Sequence, residues 1–141
     1  VRRVVLCSGK VYYDLLDRRH ADQATDVALV RIEQLYPFPA DEFHAVIARY
    51  ANAQQIVWCQ EEPQNQGAWY QIRHRLQAAL LPGQALLYAG REGAAAPATG
   101  IHALHQREQE NLVAAALYSP DTETTHRETH RLTVAPRRKS S

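Results

Sequence analysis

Four short apolar runs, each followed by a stretch with helical spacing, constrain the fold of this chain more than any other feature. A continuous apolar run of about five residues is typical of a strand that is buried on both faces of a parallel sheet. Strands that alternate with helices predict an α/β three-layer sandwich, with a mainly parallel sheet of about four to five strands. The predicted strands are residues 3–7, 27–32, 55–59 and 85–89.

Helical spacing of apolar residues predicts a helix after each of these strands. The third of these helices ends at Pro82 and Gly83, because neither residue continues a helix well. The chain has 141 residues, which fits one domain. We therefore expect an α/β domain at residues 1–118 and, where the periodicity stops, a flexible tail at residues 119–141. The predicted helices are residues 11–19, 39–50, 67–81 and 101–118.

Composition excludes several kinds of partner. The formal net charge is +1, so we expect no nucleic acid and no anionic membrane surface among the partners. No apolar run reaches the roughly 18 residues that span a bilayer. Cys7 and Cys59 lie in apolar runs and are predicted to be buried free thiols, although neighbouring strands would permit a disulfide. The chain begins at Val1 and contains no methionine, so we expect a piece of a longer protein.

Polar residues collect where the predicted strands end, which is the edge of an open α/β sheet that usually binds ligands. One interpretation is an anionic ligand held by Lys10, Arg91 and helix-start N–H groups. The other is an ion-paired interface between subunits or domains. The effector or interface candidates are Ser8, Lys10, Glu33, Gln60, Glu61, Glu62, Asn65, Gln66 and Arg91.

The sequence predicts no catalytic, cofactor-binding or metal-ligating residue on this chain. Ser8 to Lys10 is similar to the end of a phosphate-binding loop, but Val4 stands where that loop needs its first glycine. Glu61 and Glu62 are adjacent on an extended segment, so their side chains point to opposite sides and form no dyad. The histidines lack the spacing of a metal site, and no serine or cysteine lies in a nucleophile elbow.

Six strings of residues in unbroken order carry a family resemblance. They are residues 7–16 (CSGKVYYDLL), 30–39 (VRIEQLYPFP), 57–63 (VWCQEEP), 65–69 (NQGAW), 88–91 (YAGR) and 96–100 (APATG). Across residues 1–118 the chain resembles the C-terminal domain of the thiamine-diphosphate-dependent, decarboxylating first component of 2-oxoglutarate dehydrogenase. The resemblance implies a transketolase C-terminal-like fold. It also implies that the cofactors, thiamine diphosphate and Mg²⁺, bind to two preceding domains of a parent enzyme.

The resemblance further implies an oxidoreductase of the tricarboxylic acid cycle, which decarboxylates 2-oxoglutarate and transfers succinyl to lipoamide. The isolated chain is expected to show no turnover. Its implied partners are the preceding domains of the parent chain, a homodimer partner and the succinyltransferase component of the multienzyme complex. The implied location is the cytoplasm of a bacterium, or the mitochondrial matrix of a eukaryote.

Some actinobacterial relatives bind acetyl-CoA at the strand tips of this domain. By position, Lys10, Gln60 and Arg91 would form a similar site for an acyl-CoA or AMP effector. Those relatives carry a second arginine where this chain has Glu92, whose negative charge would oppose a phosphate. Two alternatives stay open: a free-standing nucleotide or acyl-CoA sensing module without catalysis, and a purely structural dimerisation domain.

Overall fold

The computed structural model describes residues 1–91 and 102–119 of the chain. Glu92 and most of the predicted tail lie outside the described residues, so the predicted tail and the domain end at residue 118 stay predictions. Strands and helices alternate throughout the described part, which confirms the α/β class. The elements are β1 (Arg3–Cys7), α1 (Val11–Ala21), β2 (Val27–Arg31), α2 (Ala40–Arg49), β3 (Gln55–Pro63), α3 (Trp69–Ala79), β4 (Ala85–Arg91) and α4 (His102–Tyr118).

The described strands form one parallel sheet in the order β2-β1-β3-β4. All five residues of β1, one of the two inner strands, are buried. Alternate residues of a strand point to opposite faces of the sheet. Val4 and Leu6 therefore pack towards α2 and α3, whereas Val5 and Cys7 pack towards α1 and α4. The two apolar cores explain why the strands read as continuous apolar runs.

Strand β3 continues to Pro63, four residues beyond its predicted end. The residues after Cys59 are polar, so an apolar pattern places the turn too early. The structure keeps them extended because β4 also continues, to Arg91, which pairs with Pro63 after an irregularity in the register. Gln60 and Glu61 therefore lie on a strand rather than in the predicted turn.

A buried arginine joins the start of the sheet to the end of the last helix. Arg3 is 1% exposed, and its guanidinium donates to Gln55 Oε1 at 3.1 Å, to Ala116 O at 2.8 Å and to Ser119 O. The carbonyls at the end of a helix have no partner within the helix and carry partial negative charge, which a cation stabilises. Burial lowers the pKa of Arg3 to about 10, so the side chain stays charged at neutral pH.

The two cysteines lie side by side on neighbouring strands. Cys7 of β1 and Cys59 of β3 are partners in the register, and both are fully buried free thiols, as predicted. Burial raises the pKa of Cys7 to about 12 and raises the pKa of Cys59 well above its usual value. Both thiols are therefore neutral and poor nucleophiles in the folded protein.

We expect the stability of the fold to fall as the pH rises above 9, the ordinary pKa of a cysteine thiol. Between pH 9 and 12 the unfolded chain has released the Cys7 proton and the folded chain still holds it, so unfolding is favoured. Each pKa unit corresponds to about 1.4 kcal/mol, so Cys7 alone lowers the free energy of unfolding by about 1.4 kcal/mol between pH 8 and pH 10, and Cys59 changes it in the same direction. Urea unfolding at both pH values measures this loss.

The matched control is the double variant Cys7→Ala and Cys59→Ala. Its absolute stability drops because methyl groups fill less of the core. Between pH 8 and pH 10 the free energy of unfolding of the double variant should fall much less than that of the original chain. An undiminished loss in the double variant would assign the alkaline sensitivity to other groups.

Candidate functional site

The carboxyl edge of the sheet holds all the residues that the sequence nominated. Parallel strands all end at the same edge, so residues that follow each of them in sequence arrive together in space. The structure joins Lys10, Glu61 and Arg91 into one polar cluster and places Gln60 behind it in the fold. Glu33 lies apart from them, 3.7 Å from the Arg31 guanidinium on the edge strand.

The carboxylate of Glu61 ties three elements together. Its Oε1 accepts from Lys10 Nζ at 2.9 Å and from Gln109 Nε2 at 3.2 Å. The same amide nitrogen of Gln109 donates to Asp14 Oδ2 at 2.8 Å. These bonds connect the tip of β3 to the start of α1 and to the half-buried Gln109 of α4.

Arg91 completes the cluster from the end of β4. Its guanidinium donates to the backbone carbonyl of Glu61, to Gln109 Oε1 at 3.2 Å and to Glu108 Oε1 at 3.4 Å. Every nitrogen of this guanidinium therefore has a partner within the fold. Its side chain is 19% exposed, in contrast to the 82% exposed side chain of Lys10.

Sequence reasoning did not nominate Asp14, Glu108 or Gln109. They are polar residues on helices, and no local motif marks them. Their importance depends on the placement of α1 and α4 beside the edge of the sheet, which residue spacing does not reveal.

Gln60 is a structural residue of the fold. It is 3% exposed, and its Oε1 accepts from Trp58 Nε1 at 2.8 Å and from the backbone N–H of Trp69 at 3.2 Å. Its Nε2 donates to the carbonyls of Glu62 at 3.1 Å and Pro63 at 3.0 Å. A glutamine amide offers two acceptor and two donor positions, so Gln60 has none left for a ligand.

Two glycines leave space for this amide and its surroundings. A Cβ at Gly67 would lie 2.5 Å from Gln60 Nε2. A Cβ at Gly90 would lie 2.5 Å from the Tyr88 hydroxyl and 2.8 Å from the Gln60 carbonyl. The turn between β3 and α3 and the end of β4 can therefore approach Gln60 this closely only because these positions lack side chains.

The two tryptophans of this region point into the domain. Trp58 is 1% exposed and Trp69 is 5% exposed, and the Trp69 ring packs against Tyr88 with 5.1 Å between the ring centroids. Burial raises the pKa of the Tyr88 phenol, which is neutral at physiological pH. The remaining candidates are more accessible: Glu62, Asn65 and Gln66 are exposed and Ser8 is half-buried.

The chemistry of this edge is that of a charged, hydrogen-bonded surface. The hydrogen bond from Lys10 to Glu61 raises the pKa of Lys10, so its amine is a cation rather than a general base. Among residues 1–91 and 102–119, no three histidine, cysteine or acidic residues lie close enough to hold a metal ion. Within the same residues, no helix has the length and apolar character needed to cross a membrane.

Comparison with known proteins gives a family match over nearly the whole described chain. The family model for the 2-oxoglutarate dehydrogenase C-terminal region matches residues 1–117. The 2-oxoglutarate dehydrogenase E1 component of Azotobacter vinelandii is 56% identical over 119 residues, which cover 82% of this chain and 13% of that protein. The E1 component of Cupriavidus necator is 51% identical over 116 residues, covering 82% of this chain and 12% of the relative.

The chain spans only about 13% of the length of such relatives. A solved structure described as "Split gene transketolase, inactive beta4 tetramer" is similar in fold, with a TM-score of 0.57 over 81% of this chain and 37% of that one. At 17% identity this likeness concerns the fold alone. It confirms the predicted transketolase-like architecture.

Substituting Gly67 by alanine should destabilise the domain through Gln60. The added methyl group would displace the Gln60 amide and leave the indole N–H of Trp58 and the backbone N–H of Trp69 without acceptors. Buried donors that lose their partners cost about 1–3 kcal/mol each, so for two donors we expect a loss of about 2–6 kcal/mol in urea unfolding.

A double-mutant cycle separates this cause from backbone strain. In a Gln60→Ala background the amide is already absent, and Gly67→Ala should cost less than about 1 kcal/mol. Equal costs of Gly67→Ala in both backgrounds would contradict the coupling between Gly67 and Gln60.

Proposed function

The chain belongs to the 2-oxoglutarate dehydrogenase C-terminal family, and from this we propose that it works as the C-terminal domain of a 2-oxoglutarate dehydrogenase E1 component. The family match over residues 1–117 carries this proposal. The relatives are about eight times as long as the matched segment, since it covers 13% of their length. The activity therefore belongs to a longer parent enzyme in which this chain is one part.

The parent enzyme would oxidatively decarboxylate 2-oxoglutarate and pass the succinyl group to lipoamide. When bound, thiamine diphosphate would supply the electron sink for this chemistry. Among the described residues, no group of three or more histidine, cysteine or acidic residues could hold a metal ion, so we assign no ligand of the Mg²⁺ to them. We place thiamine diphosphate and Mg²⁺ in the preceding domains.

The carboxyl edge would be an interface with the preceding domains or with a homodimer partner. The buried layer of this edge is occupied by contacts within the fold, because the side chains of Gln60 and Arg91 already form hydrogen bonds to other residues of the domain. Its outer layer presents exposed polar side chains at Glu62, Asn65 and Gln66. A rigid base beneath exposed polar groups favours association, since little conformational freedom is lost on binding.

The assembly and its location follow as parts of the same proposal. The relatives named above are bacterial E1 components, which supports a place in the bacterial cytoplasm and in a complex with the succinyltransferase component. The solved transketolase structure is itself described as a tetramer. For this chain we propose association through a homodimer of the parent enzyme.

Effector binding is a second candidate function for the same edge. The Lys10 side chain is 82% exposed, and α1 begins at Val11 without a side-chain cap for its N–H groups. A phosphate of an acyl-CoA or AMP would find positive charge there. Glu61, paired with Lys10, would have to release it first.

A chimeric enzyme tests the main proposal. Residues 1–119 of this chain replace the matching segment of the Azotobacter vinelandii relative, and 2-oxoglutarate decarboxylation is measured with thiamine diphosphate and Mg²⁺. We expect the kcat/KM of the chimera to lie within about tenfold of that of the relative. A tenfold range corresponds to at most about 1.4 kcal/mol in transition-state stabilisation. The isolated 141-residue chain should show no turnover.

Substitution of exposed residues in the chimera distinguishes an interface from a surface that makes no contact with another subunit. Glu62→Ala with Gln66→Ala, at the carboxyl edge, should weaken the dimer as measured by light scattering. Asp17→Ala with Asn52→Ala, also exposed and away from that edge, should leave it unchanged. A chimera that folds and dimerises without activity would refute the proposed function.

Calorimetric titration of the 141-residue chain with acetyl-CoA and with AMP tests the effector role. A bound phosphate should lose affinity in the Lys10→Ala variant, since that variant removes the exposed cation. The Arg49→Ala variant, an exposed arginine at the end of α2, is the control and should bind normally. A dissociation constant of about 1 mM corresponds to a binding free energy of about −4 kcal/mol. If neither ligand gives heat above dilution at about millimolar concentration, effector binding at this edge is excluded.

A further inference from the structure

Helix α3 has an exposed face that carries basic side chains and no acidic one. The other three described helices each contain two acidic residues, whereas α3 contains none. Residues 63–91 as a whole contain no aspartate and no glutamate. The buried side of α3 is formed by Trp69, Ile72, Leu76 and Ala79. Its exposed side chains include Tyr70, Arg73, His74, Arg75 and Gln77.

The arginines of α3 are not neutralised within the fold. Elsewhere in the described chain a carboxylate pairs with each of five basic side chains, which are those of Arg2, Lys10, Arg18, Arg31 and Arg91. Within residues 1–91 and 102–119, Arg73 and Arg75 form no ion pair. A local positive potential therefore lies over α3, although the net charge of the chain is only +1.

An aromatic ring positions one of these arginines. The Arg73 guanidinium lies over the ring of Tyr70, with its carbon 5.0 Å from the ring centroid, and Tyr70 is 46% exposed. Stacking covers one face of the guanidinium plane and leaves the N–H groups at its edge, where a carboxylate binds with two parallel hydrogen bonds. Tyrosine and arginine are among the residue types that contribute most to binding at protein interfaces. The stacked pair is therefore a preformed anchor for a carboxylate.

A second exposed tyrosine lies on the other side of the same face. Tyr36, in the loop before α2, is 59% exposed, and its hydroxyl donates to Gln71 Oε1 of α3. Gln71 and Arg75 are four residues apart, so they lie on one side of the helix. Arg73 and Arg75 point about 160° apart, because successive helical residues rotate by about 100°. The two arginines therefore flank the exposed face, each with a tyrosine on its side.

We propose that α3 binds an acidic segment of a partner protein, with Tyr70 and Arg73 as the central anchor. Charge complementarity selects this occupant, because a cation without a carboxylate in its own fold can gain one on binding. Two arginines are too few for a nucleic-acid site, which typically uses a longer basic stripe. The surface does not use Lys10 or Arg91, which are already paired at the carboxyl edge.

The positions of the arginines define the spacing of the acidic residues in the partner. A helix with its side chains is about 10–12 Å wide, and an extended chain covers about 3.3–3.6 Å per residue. A segment that crosses α3 would therefore need carboxylates about three or four residues apart to meet both Arg73 and Arg75. Between them it would pass His74, which lies opposite the buried side of the helix.

NMR titration of the 141-residue chain tests the proposal. The probe is a peptide of about twelve residues that alternates glutamate with alanine, which is long enough to cross α3. We expect it to shift the amide resonances of Tyr70, Arg73 and His74, with a dissociation constant below about 1 mM at low salt. Binding should weaken between about 10 mM and about 150 mM salt, because the Debye length falls from about 30 Å to about 8 Å.

The double variant Arg73→Ala with Arg75→Ala removes both cations and should weaken peptide binding by about fivefold or more. Tyr70→Ala should weaken it by about threefold, because the Arg73 guanidinium loses its support. The matched control is Arg107→Ala on α4, an exposed arginine that also forms no ion pair in the described part of the chain. Its affinity for the peptide should stay within about twofold of that of the original chain.

Charge reversal gives an independent check. The variant Arg73→Glu with Arg75→Glu should no longer bind the glutamate peptide and should bind a matched lysine–alanine peptide instead. These side chains are exposed, so the variants should fold as the original chain does, which urea unfolding verifies.

Four results would overturn the inference. They are unchanged affinity of the double alanine variant, equal binding of a glutamine–alanine peptide, resonance shifts that spare α3, and tighter binding of a single-stranded oligonucleotide of equal charge at the same residues. Changes in the α3 resonances that grow with protein concentration in the absence of peptide would also overturn it, since a second copy would then occupy the face. The titration requires no enzymatic activity, so its outcome is independent of the proposed function.

Discussion

The side-chain amide of Gln60 is the interaction on which the carboxyl edge of this domain depends. Its four hydrogen bonds join the end of β3 to the start of α3 and to the indole of Trp58. The amide is buried, so each bond lost would leave an unpaired polar group away from water. This explains why Gly67 and Gly90 are required beside it, since a side chain at either position would take the space that the amide and its neighbours occupy.

A second layer of polar contacts builds on this base. Glu61, the residue after Gln60, uses its carboxylate to bind Lys10 and Gln109, and its carbonyl to bind Arg91. The edge is thereby locked to α1, β4 and α4. Most charges at the strand tips form contacts within the domain itself, whereas the turn before α3 keeps exposed polar side chains.

The sequence permitted prediction of the fold and of the place of the site, but not of the contacts within the site. Apolar runs identified all four described strands, and parallel pairing brought the nominated residues to one edge. The end of β3 was placed too early because Gln60 and Glu61 are polar although they are part of a strand. The sequence placed Gln60 among the effector or interface candidates, because residue type alone does not distinguish a buried, fully hydrogen-bonded glutamine from an exposed one.

Residue order alone determined the alternation of strands and helices, the two-sided burial of the sheet and the family to which the chain belongs. These features depend on periodicity and on contiguous motifs, which neighbouring residues encode. Only the tertiary structure decided the hydrogen-bond partners. Lys10 meets Glu61 across 51 residues and Asp14 meets Gln109 across 95, and such pairs exist only because packed helices bring distant side chains together.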